Sequence, residues 1–125
     1  MTLSRKQVEA AIRRTGASFV GEETTSDGTE AMVFEAEGLR FIAFLTMEER
    51  GRFAAMKLWA GFQGVYDAEF ANRVNRQLAV GKAVAMDDGG LVVTFDVLLH
   101  GLSELAVSKS ASFFVLDIVR QLQSS

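Results

Sequence analysis

The sequence predicts an α+β fold, with helices packed on an antiparallel sheet of five or six strands. Three observations carry this. Segments with apolar residues at alternate positions are joined by short polar turns that contain glycine, the chemistry of hairpins. Three other segments, at the beginning, the middle and the end, repeat their apolar residues at three- and four-residue spacing, as helices do. The resulting order, α-β-β-β-β-α-β-β-α, runs strand into strand, whereas a parallel sheet alternates strand with helix.

The first helix is expected from Ser4, where Ser4 and Gln7 have the spacing of a capping box: hydroxyl and amide each satisfy a backbone N–H left over at the helix start. Val8, Ala11, Ile12 and Thr15 share one face, Arg5, Glu9 and Arg13 lie away from it, and Gly16 stands where a C-terminal cap belongs. Four strands follow. Ser18 to Thr25 leads into the turn Ser26-Asp27-Gly28-Thr29, and Glu30 to Glu37 turns at Gly38. Leu39 to Thr46 is apolar on both faces, which suits a central strand. Met47 to Gly51 reads as a polar connection to Arg52–Phe62, whose Met56, Leu58, Ala60 and Phe62 are in phase.

The second helix is expected from Asp67, a good N-cap, to Ala79, with Phe70, Ala71, Val74 and Leu78 as its core stripe and Gly81 as its stop. Strands Lys82 to Met86 and Leu91 to Leu99 flank the turn Asp87-Asp88-Gly89-Gly90. The last helix is expected from Ser103 to Gln123. Val107, Ala111, Phe114, Ile118 and Leu122 form its core stripe, with Val115 and Val119 alongside. Leu105, Phe113 and Leu116 project to the opposite side, interrupted by Lys109, Asp117 and Arg120.

At 125 residues, the chain reads as one domain over 1–125. Ten phenylalanines supply a core. The absence of cysteine excludes disulfides and thiolate metal sites, and one histidine excludes a histidine-rich centre, so neither metal nor other cofactor is expected. The bases are scattered through an acidic chain, without the concentrated basic face that nucleic acid requires. No apolar run is long enough for a membrane helix, and the charged first residues do not read as a secretion signal; a cytoplasmic protein is expected.

Motifs for catalysis are weak. His100 has no local nucleophile or orienting group, and reads as a residue of a strand end. Asp87-Asp88-Gly89-Gly90 lacks the ligand spacing of an EF-hand, and Gly61-Phe62-Gln63-Gly64 lacks the lysine and serine or threonine of a phosphate loop. Asp27, Glu48 and Glu49 read as solvated loop acids. No enzyme is expected. Trp59 and Tyr66, expected near one end of the sheet, are candidate interaction residues, as are Leu105, Phe113 and Leu116. Asn75 lies at the edge of the second helix's apolar stripe, where its amide can bond a neighbouring backbone; with Asn72 it is a candidate structural polar residue.

A series of short motifs carries a resemblance. It runs Leu58-Trp59-Ala60-Gly61-Phe62, Phe70-Ala71-Asn72-Arg73-Val74-Asn75, Gly81-Lys82-Ala83-Val84, Asp87-Asp88-Gly89, Phe95-Asp96-Val97 and Gly101-Leu102-Ser103. From Thr29 to Leu122 the order of elements resembles the bacterial YbjN family, described as sensory transduction regulators. Asn72, Asn75, Lys82, Asp87 to Gly89 and Gly101 match its pattern. Val74 stands where the family often has tryptophan, and His100-Gly101 where it often has paired glycines. The resemblance implies a fold like that of type III secretion chaperones, which are typically homodimers that bind extended client segments. It implies no catalytic residues. The expected function is therefore a non-catalytic protein-binding module, chaperone-like or regulatory, with a client protein or itself as partner. The alternatives are a structural domain that assembles only with itself, as a homodimer, and an enzyme with an unrecognised small-molecule site.

Overall fold

The computed structural model describes residues 3–24, 29–49 and 52–123; the side chains of 24, 47–49, 52, 122 and 123 are outside the description. The strands are β1 (Leu3–Ser4), β2 (Ser18–Thr24), β3 (Glu30–Ala36), β4 (Leu39–Glu49), β5 (Arg52–Phe62), β6 (Lys82–Ala85) and β7 (Leu91–Leu98). The helices are α1 (Arg5–Arg13), α2 (Ala68–Asn75) and α3 (Glu104–Ile118), and a π-helical turn, Val119–Gln123, continues α3. The sheet runs β2-β3-β4-β5-β7-β6, and every pairing is antiparallel. The short β1 pairs with the start of β5, Leu3 opposite Phe53. This makes a seventh strand: two residues carry no periodicity, so the sequence assigns them only to the approach to α1.

Alternation along the strands decides what is buried. Met32, Phe34, Phe41, Ala43, Leu45, Met56, Leu58, Ala60, Leu91, Val93 and Val97 face the core. α1 adds Val8, Ala11 and Ile12, and α3 adds Val107, Ala111, Phe114, Val115 and Ile118. Aromatic rings cross the layers: Phe19 meets Phe34 edge-on, Phe34 stacks on Phe41 at 5.6 Å, and Phe41 meets Phe114 of α3 edge-on at 6.1 Å. Burying one such side chain contributes about 1.5–3 kcal/mol. α2 joins the same core through Ala71 and Val74, next to Ala83 of β6 and Val93 of β7.

Local chemistry sets several boundaries. Ser4 and Gln7 form the capping box of α1, each side chain bonding the other's backbone N–H. α1 ends at Arg13, and Gly16 takes the positive φ of +97° that follows it. Glu37 and Gly38 both have positive φ, as a two-residue hairpin turn of the primed kind requires. The turn Ser26–Thr29 falls mostly outside the described residues.

Three features differ from the sequence expectation. β4 continues through Glu49, with bulges near Met47, and pairs Glu49 with Arg52. Met47 to Glu49 are thus strand and not loop, and only 50–51, outside the described residues, remain as connection. α2 stops at Asn75, before Ala79. The chain leaves the helix there although Leu78 still packs on the core, which is why the apolar spacing runs on. Asp117 is the third difference. It is not part of the outer face of α3 but is 7% exposed, and its Oδ2 accepts hydrogen bonds from the backbone N–H groups of Ala79 (3.0 Å), Val80 (2.8 Å) and Gly81 (3.4 Å). The carboxylate therefore holds the α2–β6 connection that the early end of α2 creates.

Candidate functional site

Among the described residues, exposed apolar side chains gather on two surfaces in particular. The first lies on α3. Ser103 caps the helix, accepting from the Ala106 N–H, and the buried stripe fixes the rotation of α3 on the sheet. Leu105, Phe113 and Leu116 then face outward, 60%, 54% and 43% exposed. Lys109 lies among them, also exposed. α1 packs beside α3 and Arg14 reaches Glu104 at 3.3 Å, yet neither covers the strip. A helix packed on one surface needs one apolar stripe; this helix has two.

The second surface is the sheet face opposite the helices. Val33, Ile42 and Trp59 sit side by side on β3, β4 and β5, with Thr94 and Lys82 completing the row. Val33, Ile42 and Trp59 are half-buried, by one another and not by a helix; the described helices all contribute to the other side. Charged residues on this face pair locally, Arg40 with Glu35 at 3.1 Å and Lys57 with Asp96 at 3.8 Å. Val84, Met86 and Leu98 are exposed towards its β6–β7 side.

At the end of this face, beyond Trp59, is a cleft of about 570 Å3. Glycine shapes it. The benzo end of the Trp59 indole lies against Gly61, where an added Cβ would come within 2.5 Å of the ring. The strand exit bends back at Gly64, Tyr66 N–H donates to the Gly89 carbonyl at 2.7 Å, and a Cβ on Gly89 would meet the Gly64 carbonyl. The loop after β5 and the β6–β7 hairpin are thereby closed onto each other. Asp88 keeps the hairpin tight, its Oδ1 accepting from the Gly90 N–H at 2.8 Å. Tyr66 and Trp59 serve different surfaces: Tyr66 packs towards the core beside Phe70, ring centroids 5.1 Å apart, while Trp59 lines the cleft. Sequence reasoning set aside Gly61, Gly64, Gly89 and Gly90 as turn residues; their gathering around two aromatic rings is the signal that could have found the cleft.

Asn75 has a structural position. Its Oδ1 accepts from Ala83 N–H at 2.6 Å and its Nδ2 donates to Ala83 O at 2.8 Å. A side-chain amide thus pairs both ways with an edge strand, as a neighbouring strand would, and blunts that edge. Asn75→Ala is expected to cost about 1–3 kcal/mol, because both backbone groups lose their partner. Amide exchange at Ala83 should quicken more than at Val93, opposite it in β7; equal changes at both would show that Asn75 acts only through global stability. Asn72 is exposed on α2.

Neither surface gathers catalytic groups. His100 is exposed in the turn before α3, apart from the cleft lining. Among the described residues, no group of three or more His, Asp or Glu side chains is placed to hold a metal ion, and no helix is long and apolar enough to cross a membrane.

The comparisons agree with this architecture. Comparison with curated proteins gives no match. A crystal structure of an uncharacterized protein from Methanothermobacter thermautotrophicus superposes with a TM-score of 0.66 over 98% of this chain and 96% of that one, at 10% identity, a likeness of fold alone. Residues 4–110 match the model of a family described as "Putative bacterial sensory transduction regulator", and that match runs from the end of β1 into the first half of α3. The chain belongs to the YbjN family.

Proposed function

We propose that this protein is a non-catalytic protein-binding module with a regulatory or chaperone-like role, and that it works as a homodimer joined through α3. The observation that carries this is the outward strip of α3, with Leu105, Phe113 and Leu116 each more than two-fifths exposed. Exposed apolar strips mark interaction sites. The order of residues along the strip favours a second copy as the occupant. In an antiparallel pair of α3 helices related by a two-fold axis near residue 111, Leu105 falls opposite the other copy's Leu116. Lys109 falls opposite Phe113, where its stem covers the ring and its ammonium meets the π face. The strip is in that sense complementary to itself. The family description, a sensory transduction regulator, supports a regulatory role. The sheet face left uncovered by such a dimer supplies a surface for a client.

Phe113→Asp tests this. The wild-type chain is expected to show the mass of a dimer by light scattering. The variant should show half that mass with unchanged circular dichroism, because Phe113 is 54% exposed and lies outside the buried stripe of α3. An unfolded variant would make Phe113 a core residue and end the proposal, and a monomeric wild type would end the homodimer. A purely structural domain, which assembles only with itself, is the second reading. It predicts that the dimer's sheet face binds nothing.

A further inference from the structure

The cleft beside Trp59 has a chemical character that the α3 strip lacks. The indole of Trp59 and the half-exposed Met86 both line it. One charged side chain lines it, Asp88; among the described lining residues there is no lysine, arginine or histidine. The hairpin uses one lone-pair site of the Asp88 carboxylate, for the Gly90 N–H, and a carboxylate offers about four. An aromatic ring and a carboxylate lining one cleft form the combination that holds a cation carried on an aliphatic stem. The ring quadrupole attracts the charge, the carboxylate pairs with it, and Met86 packs on the methylenes. Arginine fits better than lysine, because a planar guanidinium can stack on the indole while it bonds the carboxylate.

The surroundings indicate where that cation comes from. Val84 and Met86, both nearly half exposed, continue the apolar surface from the cleft along the edge strand β6. A small free cation would fill the cleft and leave both bare, whereas an extended peptide with an apolar residue beside its arginine would cover them. We infer that the Trp59–Asp88 cleft binds an arginine side chain on an extended segment of a client protein. This rests on the protein-binding role proposed above and names the client chemistry.

Trp59 is the chain's one tryptophan, so its emission reports on the cleft without a label. The full chain is titrated with a pentapeptide carrying a central arginine between valines, with the same peptide carrying norleucine in place of arginine, and with arginine amide alone. The arginine peptide is expected to change Trp59 emission saturably and to bind at least tenfold more tightly than either of the other two. Asp88→Asn keeps the acceptor for the Gly90 N–H, so the hairpin is retained. It should lower the affinity for the arginine peptide to that of the norleucine peptide. Gln63→Lys, which puts a cation on the cleft rim, should weaken binding at least fivefold. Equal affinity for the two peptides, no effect of either variant, or no emission change at millimolar peptide would overturn the inference. Equal affinity for arginine amide would overturn the client segment in favour of a small cation. The dimer test at Phe113 reads light scattering and involves neither Trp59 nor Asp88, so the failure of one proposal is distinguishable from that of the other.

Discussion

Phe41→Ala is expected to destabilise the fold by about 3–5 kcal/mol, the cost of truncating an enclosed phenylalanine and leaving its cavity. Phe41 is fully buried in the central strand β4. It stacks on Phe34 of β3, its partner in register, and meets Phe114 of α3 edge-on, so its ring joins the sheet to the helix layer. Neither neighbour can swing into the gap without giving up its own packing, Phe34 against Phe19 and Phe114 within the buried stripe of α3. A domain of this size has about 5–15 kcal/mol in total, so the variant gives up a large share of its stability. With a urea slope of about 2 kcal/mol per molar, the midpoint should fall by about 2 M. Phe44→Ala, on the open face of the same strand, is the control: Phe44 is half-buried and should cost less than half as much. Equal costs at the two positions would contradict the assignment of the two faces.

Much of the fold was legible in the sequence, though not the difference between these two positions. Alternation has a period of two and needs only a few residues to declare itself, so β3, β5 and β7 and their inward residues followed directly, whereas β4, apolar on both faces, declared only a central strand. The capping box of Ser4 and the N-cap of Asp67 are equally local, each spanning three residues. The parts that differed depend on distant partners. The end of α2 is held by Asn75 bonding Ala83, eight residues on, and by Asp117 bonding the connection 36 to 38 residues earlier in the chain. Helical periodicity cannot detect either. The outward strip of α3 was legible because a second apolar stripe is visible on a helical wheel. The cleft was not, because it arises where two loops close on each other through glycines.

Asp117→Ala is expected to cost about 2–3 kcal/mol, because hydrogen bonds to a charged acceptor are worth about 1.5–3 kcal/mol and the three here share one oxygen and are not additive. On sequence grounds an aspartate between outward residues of α3 belongs to solvent, and its replacement would be neutral. The structure instead buries it at the junction of α3 with the α2–β6 connection, where its Oδ2 gathers three consecutive N–H groups. Removing it leaves those donors without a partner and frees the connection that positions β6. The effect should be local before it is global. Amide exchange at Ala79, Val80 and Gly81 should quicken at least tenfold more than at Leu58, in the centre of the sheet. Asp117→Asn keeps an oxygen at the same place but loses the charge, and should cost about half as much. Because Asn75 holds Ala83 of β6, just beyond that connection, the double variant with Asn75→Ala should show a coupling energy of at least about 0.5 kcal/mol, the size found for residues in one network. Strict additivity, or unchanged exchange over residues 79 to 81, would show that Asp117 matters only for packing and that the connection holds itself.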